Sequence, residues 1–253
     1  MCGIVAIAGK DQVASRLVDG LKRLEYRGYD SAGIALASGA GIERRRAKGK
    51  IHNLQARLSE DPVEGFTGIA HTRWATHGAP NETNAHPHMA GGAAVVHNGI
   101  IENYRELREA LEARGRVFES ETDTEVIAQL IAQNMSEGMD EVAAFADALT
   151  HFTGAFAIAA IFAGKPDLVI GARKGSPLVL GYGEGEMYLG SDAIALAPLT
   201  REVTYLEEGD WVILTRNSFD IRNVRGERVN RPRVTSAVND ALIERGEYDH
   251  FML

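Results

Sequence analysis

The chain has 253 residues, of which 45% are hydrophobic and 25% are charged, and its formal net charge is −8. This composition is typical of a globular protein with a sizeable core, and the negative charge disfavours a nucleic-acid partner. One basic run departs from the acidic composition of the chain, and it comprises Arg44, Arg45, Arg46, Lys48 and Lys50. We interpret this run as the solvated face of a strand rather than as a binding patch.

Cysteine content and hydropathy indicate where the protein resides. The chain has one cysteine, Cys2, which excludes an intramolecular disulfide, and no apolar stretch approaches the roughly 20 residues that span a bilayer. The apolar N-terminus lacks the basic region that begins a signal peptide. We therefore expect a cytoplasmic protein without a membrane partner.

The first half of the chain alternates predicted strands and helices. Short apolar runs predict strands at 4–8, 33–37, 68–72 and 93–97, and helical spacing of apolar residues predicts helices at 11–28, 51–58, 102–114, 123–135 and 141–149. The helix at 123–135 is expected to begin with a capping box, in which Thr122 is the N-cap and Glu125 follows three residues later.

The second half consists mainly of short apolar runs separated by Gly- and Pro-containing turns. These runs predict strands at 155–162, 168–172, 178–182, 187–189, 203–206 and 211–215. The pattern indicates antiparallel sheets, and two stacked sheets between helical layers would satisfy it. Residues 234–253 are more polar and are interpreted as a tail or linker.

Cys2 is the first candidate for a catalytic residue. Removal of Met1 would give Cys2 a free α-amine with a pKa of about 7.7–8.0, which suits it to take the proton of a thiol whose usual pKa is about 8.5. One residue would then supply both nucleophile and base. The alternative is that Cys2 packs beside a strand as a small hydrophobic residue.

Residues 71–104 contain most of the histidines, together with Arg, Trp and Asn side chains, at predicted strand ends. Asn98 and Gly99 follow a predicted strand and are expected to form a tight turn. The Asn98 side-chain amide and the Gly99 backbone N–H could stabilise an oxyanion. The alternative is an ordinary hairpin turn.

Two charged residues are candidates for binding a zwitterionic substrate. Arg73 could hold a carboxylate through two parallel hydrogen bonds, a geometry that lysine cannot match. Asp123 could pair with an ammonium group. The alternative for Asp123 is a helix N-terminal carboxylate that interacts favourably with the helix dipole.

The histidines also allow a metal-dependent hydrolase as an alternative. His71, His77, His86, His88 and His97 are close in sequence, but no His-Glu-x-x-His motif accompanies them and Pro87 interrupts regular strand pairing. We therefore predict no metal and no cofactor.

The candidate residues lie within longer blocks that cover nearly the whole chain. The most specific are 1–5 (MCGIV), 24–33 (LEYRGYDSAG), 71–78 (HTRWATHG), 84–88 (NAHPH), 97–104 (HNGIIENY), 120–125 (SETDTE) and 175–178 (GSPL). In these blocks the sequence closely resembles the glutaminase domain, a type 2 glutamine amidotransferase, of the glutamine–fructose-6-phosphate aminotransferases, which form glucosamine 6-phosphate.

The resemblance implies an α+β fold, a four-layer αββα N-terminal-nucleophile hydrolase sandwich with two stacked, mainly antiparallel sheets between helix layers. It implies that Cys2 attacks the side-chain amide of L-glutamine, giving L-glutamate and ammonia, while Asn98 and Gly99 hold the oxyanion. Arg73 and Asp123 would bind the α-carboxylate and α-ammonium of glutamine. The remaining substrate-binding residues that the resemblance implies are Trp74, on a mobile loop, Thr76, His77, His86 and Arg27.

The resemblance also implies a domain organisation. Residues 1–232 would form the glutaminase domain, and residues 233–253 would begin a linker to sugar isomerase domains that are absent from this chain. In the complete enzyme those domains would use the ammonia to convert fructose 6-phosphate to glucosamine 6-phosphate. The alternatives are a stand-alone amidotransferase that supplies ammonia to another protein and a non-catalytic domain that only binds glutamine.

Overall fold

A computed structural model describes residues 2–238, apart from the side chain of Arg27. Six α-helices are described: α1 (Ala14–Lys22), α2 (Ile51–Glu60), α3 (Tyr104–Glu112), α4 (Glu125–Ser136), α5 (Glu141–His151) and α6 (Ala193–Leu196). The first eight strands are β1 (Gly3–Ala8), β2 (Ser31–Ser38), β3 (Gly41–Lys48), β4 (Thr67–Arg73), β5 (His88–Ala90), β6 (Ala93–Ile101), β7 (Gly154–Phe162) and β8 (Lys165–Lys174). The others are β9 (Val179–Tyr182), β10 (Met187–Gly190), β11 (Glu202–Tyr205), β12 (Trp211–Leu214), β13 (Phe219–Arg222) and β14 (Val234–Thr235).

The strands form two antiparallel sheets. The larger has the order β14-β11-β9-β10-β1-β4-β2-β3, and the smaller has the order β13-β12-β8-β7-β6-β5. Strand β1 is central in the larger sheet, between β10 and β4. The first strand of the chain is therefore covered on both edges, so the residue that precedes it, Cys2, is held by long-range pairing.

The two faces of β1 explain the layered core. Ile4, Ala6 and Ala8 pack between the two sheets, whereas Val5 and Ile7 pack against α1 and α6 on the outer side. Alternate residues of a strand point to opposite faces, so an uninterrupted apolar run can serve two cores. A third cluster joins the smaller sheet to α4 and α5. The layers are therefore αββα, as the resemblance implied, and the predicted fold class is confirmed.

The predicted start of the helix at 123–135 is wrong. Helix α4 begins at Glu125, and its N-cap, Thr124, makes no side-chain capping bond within residues 2–238. Thr122 instead contacts His88, with 3.0 Å between Oγ1 and Nε2. The Glu125 carboxylate accepts the backbone N–H and the hydroxyl of Ser120, each at 2.6 Å. The capping box does not form because Thr122 and Glu125 bond to His88 and Ser120 instead.

The basic run lies on strand β3, at the edge of the larger sheet, except for Lys50, the N-cap of α2, and the strand is not simply a solvated face. Arg44 donates to the carbonyl of Pro87 at 3.2 Å, and Arg46 donates to the carbonyls of Thr83 and Ala85 at 2.9 and 3.0 Å. Both side chains are half-buried. They fix the loop that carries His86.

Strand β14 lies in the segment that was interpreted as a tail, and it pairs with β11. Met1 and the rest of the predicted linker, residues 239–253, lie outside the described residues, and the division at residues 232/233 stays a prediction. No described helix is long and apolar enough to cross a membrane.

Candidate active site

Three strands bring the candidate residues together. In β4, Ile69 packs between the sheets and Ala70 packs outward, so the side chains of His71 and Arg73 also point between the sheets. In β6, Ala94 and Val96 point between the sheets, and Asn98 follows the same alternation. Cys2 has the same parity as Ile4 in β1. The thiol, the amide and the guanidinium therefore meet because strand alternation directs them to one space.

The Cys2 thiol lies against the backbone of Trp74. Its Sγ accepts the Trp74 N–H at 3.2 Å and lies 3.5 Å from the Trp74 carbonyl oxygen. Burial raises the pKa of the Cys2 thiol, and the hydrogen bond with the Trp74 backbone partly opposes that effect. The thiol is thus a weak acid at rest, and it needs a nearby base to become a nucleophile.

The predicted Asn98-Gly99 turn is wrong. Both residues lie inside β6, where Asn98 pairs with Ala157 and Gly99 pairs with Phe156 of β7. Gly99 has a φ of +123°, which an L-amino acid rarely adopts. The Asn98 side-chain NH₂ donates to the Cys2 carbonyl oxygen at 3.2 Å. The two candidate oxyanion donors therefore lie next to Cys2, on a strand rather than in a turn.

The guanidinium of Arg73 organises the loop that follows β4. It donates to the carbonyl of Ala79 at 3.4 Å, to that of Gly78 at 3.2 Å and to that of His77. Asp30 lies 3.8 Å from Arg73 and also accepts the backbone N–H of Ala75. Because Arg73 is buried, its charge is held close to the cavity beside Cys2.

Asp123 is a buried carboxylate that bonds to the backbone of β6. Its Oδ2 accepts the backbone N–H of Ile101 at 2.8 Å, and its Oδ1 lies 4.0 Å from Nδ1 of His77. Asp123 directly precedes the N-cap Thr124, so it also lies at the N-terminus of α4, as the helix-dipole alternative requires. Asp123 places a carboxylate in the cavity that Arg73 also lines.

The candidate residues converge, with one exception and one undescribed side chain. A small cavity of about 10 Å³ is lined by eight of them: Cys2, Arg73, Trp74, Thr76, His77, His86, Gly99 and Asp123. Asn98 lines an adjoining cavity of about 330 Å³, together with Cys2, Gly99 and Ser176. The backbone of Arg27 lies in a 3₁₀ turn, Glu25–Arg27, and its side chain is outside the described part.

Aromatic side chains lie at and next to the cavity, where Trp74 is one of the lining residues. The Trp74 side chain is half exposed, and its ring contacts that of Tyr29 edge-on, with 5.8 Å between centroids. His77, which is partly exposed, contacts Tyr104 in the same way at 5.3 Å. The rim of the cavity is therefore aromatic, while its floor carries the charged residues.

Four histidines of the 71–104 segment, namely His71, His86, His88 and His97, form a buried, neutral cluster. His86 stacks on His71, with 4.1 Å between ring centroids, and lies 5.0 Å from His88. Nδ1 of His97 contacts Oγ1 of Thr124 at 2.9 Å. Within residues 2–238, no three His, Cys, Asp or Glu side chains are arranged to hold a metal ion. The buried histidines contact one another, the hydroxyl groups of Thr122 and Thr124, and the oxygens of His97 and Asn98.

Comparison with known proteins identifies the family. Residues 71–198, about half of the chain, match the family model described as a glutamine amidotransferase domain. The chain belongs to the glutamine amidotransferase family. The whole chain is 57% identical over 252 residues to the glutamine–fructose-6-phosphate aminotransferase (isomerizing) of Bradyrhizobium diazoefficiens, and covers 41% of it. The corresponding enzyme of Zymomonas mobilis is 56% identical, with 42% of its length covered.

The amidotransferase domain therefore spans about two-fifths of the length of these curated relatives. A solved structure with a similar fold is the glutamine phosphoribosylpyrophosphate amidotransferase of Bacillus subtilis. It is 26% identical, with a TM-score of 0.75, and the match covers 88% of this chain and 49% of that one. The likeness supports the αββα assignment made from the sheets.

Sequence reasoning missed two residues that shape this amidotransferase site. Asp30 binds the backbone of the Trp74 loop, and His71 contacts Asn98 directly, with 3.0 Å between Nε2 and Oδ1. Asp30 lies in one of the blocks that carry the family resemblance, but its spacing from residue 75 gives no local signal. His71 was noted only as part of a possible metal cluster. Their partners are distant in sequence, so only the tertiary structure, with strands paired within a sheet and the two sheets packed together, reveals their roles.

The buried histidines of the amidotransferase domain predict a loss of stability in mild acid. Burial lowers the pKa of all four, to about 3 for His71. Between that pKa and the unfolded value of about 6.5, the unfolded chain binds the extra proton, so stability falls as the pH falls. His71 alone is expected to reduce the free energy of unfolding by about 1.4 kcal/mol at pH 5.5 relative to pH 7.5.

Urea unfolding at pH 7.5 and 5.5 tests this expectation. The His71→Gln variant, which cannot take up a proton at this position, should lose about 1.4 kcal/mol less than the wild type over the same pH range. An equal pH dependence of the two proteins would contradict the assignment of His71 as a buried neutral imidazole.

Proposed function

We propose that this domain hydrolyses L-glutamine to L-glutamate and ammonia through a thioester on Cys2. The observation that carries the proposal is the cavity that the sole cysteine shares with a buried cation, Arg73, a buried anion, Asp123, and the backbone of Gly99. An α-amino acid needs both charges at one end of its site, and its side-chain amide needs a nucleophile at the other.

Arg73 and Asp123 bind the α-carboxylate and the α-ammonium of glutamine. Both side chains are held by backbone groups, Arg73 by carbonyls of the following loop and Asp123 by the N–H of Ile101. Preorganised charges lose little conformational entropy when the substrate arrives. Trp74, Thr76, His77 and His86 complete the wall, with Arg27 assigned to the same neighbourhood and Trp74 on the loop that closes over the substrate.

Cys2 is the nucleophile once Met1 has been removed. Its α-amine takes the thiol proton, and the sulfur adds to the amide carbon to give a tetrahedral oxyanion. The Asn98 NH₂ and the Gly99 N–H donate hydrogen bonds to that oxyanion. The carbon–nitrogen bond then breaks, and ammonia leaves with the proton from the α-ammonium. Water hydrolyses the remaining thioester to glutamate and restores the thiol.

The domain acts as the ammonia-producing part of a glutamine–fructose-6-phosphate aminotransferase. This rests on its identity of 56–57% to enzymes so named in Bradyrhizobium diazoefficiens and Zymomonas mobilis. Residues 1–232 form the glutaminase domain, and residues 233–253 lead to sugar isomerase domains. Those domains accept the ammonia and convert fructose 6-phosphate to glucosamine 6-phosphate in the cytoplasm.

Glutamine turnover tests the proposal directly. The chain without Met1 is expected to release equimolar glutamate and ammonia from glutamine, at a rate that EDTA does not change. Asp123→Asn should raise KM about 10- to 100-fold, because one charge-assisted hydrogen bond to the α-ammonium is lost. The asparagine can still accept the N–H of Ile101, so the neighbouring backbone keeps its partner.

Two outcomes would contradict the proposal. Glutamine binding without glutamate release, measured by calorimetry and a coupled assay, would identify a non-catalytic binding domain. Activity that EDTA abolishes and a divalent metal restores would support the metal-dependent alternative. An Asp123→Asn variant with unchanged KM would refute only the assignment of Asp123 to the α-ammonium group and would leave the rest of the proposal standing.

A further inference from the structure

The imidazole of His71 contacts Asn98, the candidate oxyanion donor, on the side of the amide that faces away from Cys2. His71 is fully buried in β4, and its Nε2 lies 3.0 Å from the His97 carbonyl oxygen and 3.0 Å from Oδ1 of Asn98. A carbonyl oxygen can only accept a hydrogen bond. Nε2 therefore carries the hydrogen, and this single N–H donates to both oxygens.

The other ring nitrogen defines the charge state of His71. Nδ1 is buried and has no hydrogen-bond partner among the described residues. A protonated ring would leave a second N–H buried without an acceptor, which is costly. Burial accordingly lowers the pKa of His71 to about 3. The stacking of His86 on the ring, at 4.1 Å between centroids, holds its plane in place.

The hydrogen bond from His71 distinguishes the two ends of the Asn98 amide. With Oδ1 facing His71, the NH₂ group faces Cys2 and donates to its carbonyl oxygen at 3.2 Å. If the amide rotated by half a turn, its NH₂ would meet the N–H of His71, and its oxygen would meet the Cys2 carbonyl. Both contacts would be repulsive. The His71 donor therefore opposes the rotated state.

We propose that His71 is a positioning residue that fixes the orientation of the Asn98 amide, so that its NH₂ faces the place where the oxyanion forms. The inference rests on the proposed function, in which Asn98 is an oxyanion donor. His71 itself does not touch the substrate. If the Asn98 amide had to rotate before each turnover, it would stabilise the oxyanion less well, because donors in an oxyanion hole act by being held in place before the charge forms.

A matched pair of variants separates the hydrogen bond from packing. Gln can place an N–H close to the position of Nε2 of histidine, whereas Met has a similar length and no donor. We expect His71→Met to lower kcat roughly 10- to 100-fold, which is less than the 10²–10³-fold typical when an oxyanion donor is removed. We expect His71→Gln to retain kcat within about 5-fold, with KM for glutamine within about 3-fold in both variants.

A double-mutant cycle tests whether His71 acts through Asn98. In an Asn98→Ala background, His71→Met should cause no further loss of kcat, because the group that it positions is absent. Losses that multiply, or equal losses of kcat in His71→Met and His71→Gln, would overturn the proposal in favour of a structural role. Thermal melting of each variant confirms that folded proteins are compared.

The Asn98 side-chain amide provides a readout without turnover. Its NMR resonances should be preserved in His71→Gln and shifted or exchange-broadened in His71→Met; unchanged resonances in His71→Met would overturn the proposal. Failure of the wild type to release glutamate would contradict the proposed function instead. An active wild type with equally active His71→Met and His71→Gln variants would contradict only the role of His71.

Discussion

Replacing Cys2 with alanine or serine is expected to abolish glutamate release, with a loss of at least about 10⁴-fold in kcat. Cys2 is the only cysteine in the chain, so no second thiol can substitute for it. Serine keeps a nucleophilic atom, but its hydroxyl is far less acidic than a thiol and would remain protonated. A coupled assay for glutamate, with ammonia measured in parallel, gives the rates.

Two controls make the Cys2 experiment specific. Both variants should bind glutamine with an affinity close to that of the wild type, because Arg73 and Asp123 are unchanged. A glutamine-like electrophile should label Cys2 only in chains that lack Met1, since a retained Met1 turns the α-amine into an amide that cannot act as a base. Residual activity above about 1% of wild type in either variant, or a label at another residue by peptide mapping, would refute the assignment.

Replacing Gly99 with alanine is expected to lower kcat at least about 100-fold and to lower the free energy of unfolding by about 2–4 kcal/mol. The φ of Gly99 is +123°, and a Cβ there would clash with the carbonyl oxygen of Ala155 on the adjacent strand. Relief of the clash requires β6 to move away from β7, which displaces the Gly99 N–H and Asn98. Turnover assays and urea unfolding measure the two effects.

Gly164 provides the matched control for Gly99. It also has a positive φ, +75°, but no described heavy atom lies within 4 Å of the place where a Cβ would be added. Gly164→Ala should therefore cost about 1–2 kcal/mol from backbone strain alone and leave kcat unchanged. Equal effects of the two substitutions on stability and activity would show that the contact with Ala155 has no importance.

The fold was predictable where the local pattern and the tertiary environment agree. The apolar run of β1 predicts a strand buried on both faces, and Ile4 and Val5 pack into different cores as that pattern requires. The predicted helices α2 and α5 have the expected spacing of apolar residues. Both helices begin at the predicted residue, and both end two residues later than predicted, since helix ends depend on packing.

Local patterns misled where distant segments supplied the partners. Asn-Gly after an apolar run usually indicates a turn, but β7 continues to pair with β6 past Asn98 and Gly99. In the same way, Thr122 and Glu125 have capping-box spacing, yet His88 and Ser120 are their partners. Turn and capping propensities are worth about 1 kcal/mol, which pairing along a whole strand exceeds.

The residue types in the sequence identify the functional groups that are available for the chemistry of this protein. The sole cysteine, the Asn-Gly pair, Arg73 and Asp123 supply a candidate nucleophile, candidate oxyanion donors and candidate charged ligands, each with a structural alternative, and the family resemblance adds the hydrolysis of glutamine. Residue type determines which groups can carry a charge or form a hydrogen bond, whereas burial in the fold shifts their pKa values, as it does for Cys2 and His71. The αββα architecture followed from the pattern of apolar runs together with the family resemblance.

The tertiary structure alone decided how those residues are arranged. Packing of the larger sheet against the smaller one brings Asn98 of β6 to Cys2 and places His71 of β4 behind the Asn98 amide. The structure also shows that the histidines of residues 71–97 are mostly buried, and that the basic strand supports the loop of His86. These features depend on distance and burial between remote segments, which no local spacing in the chain encodes.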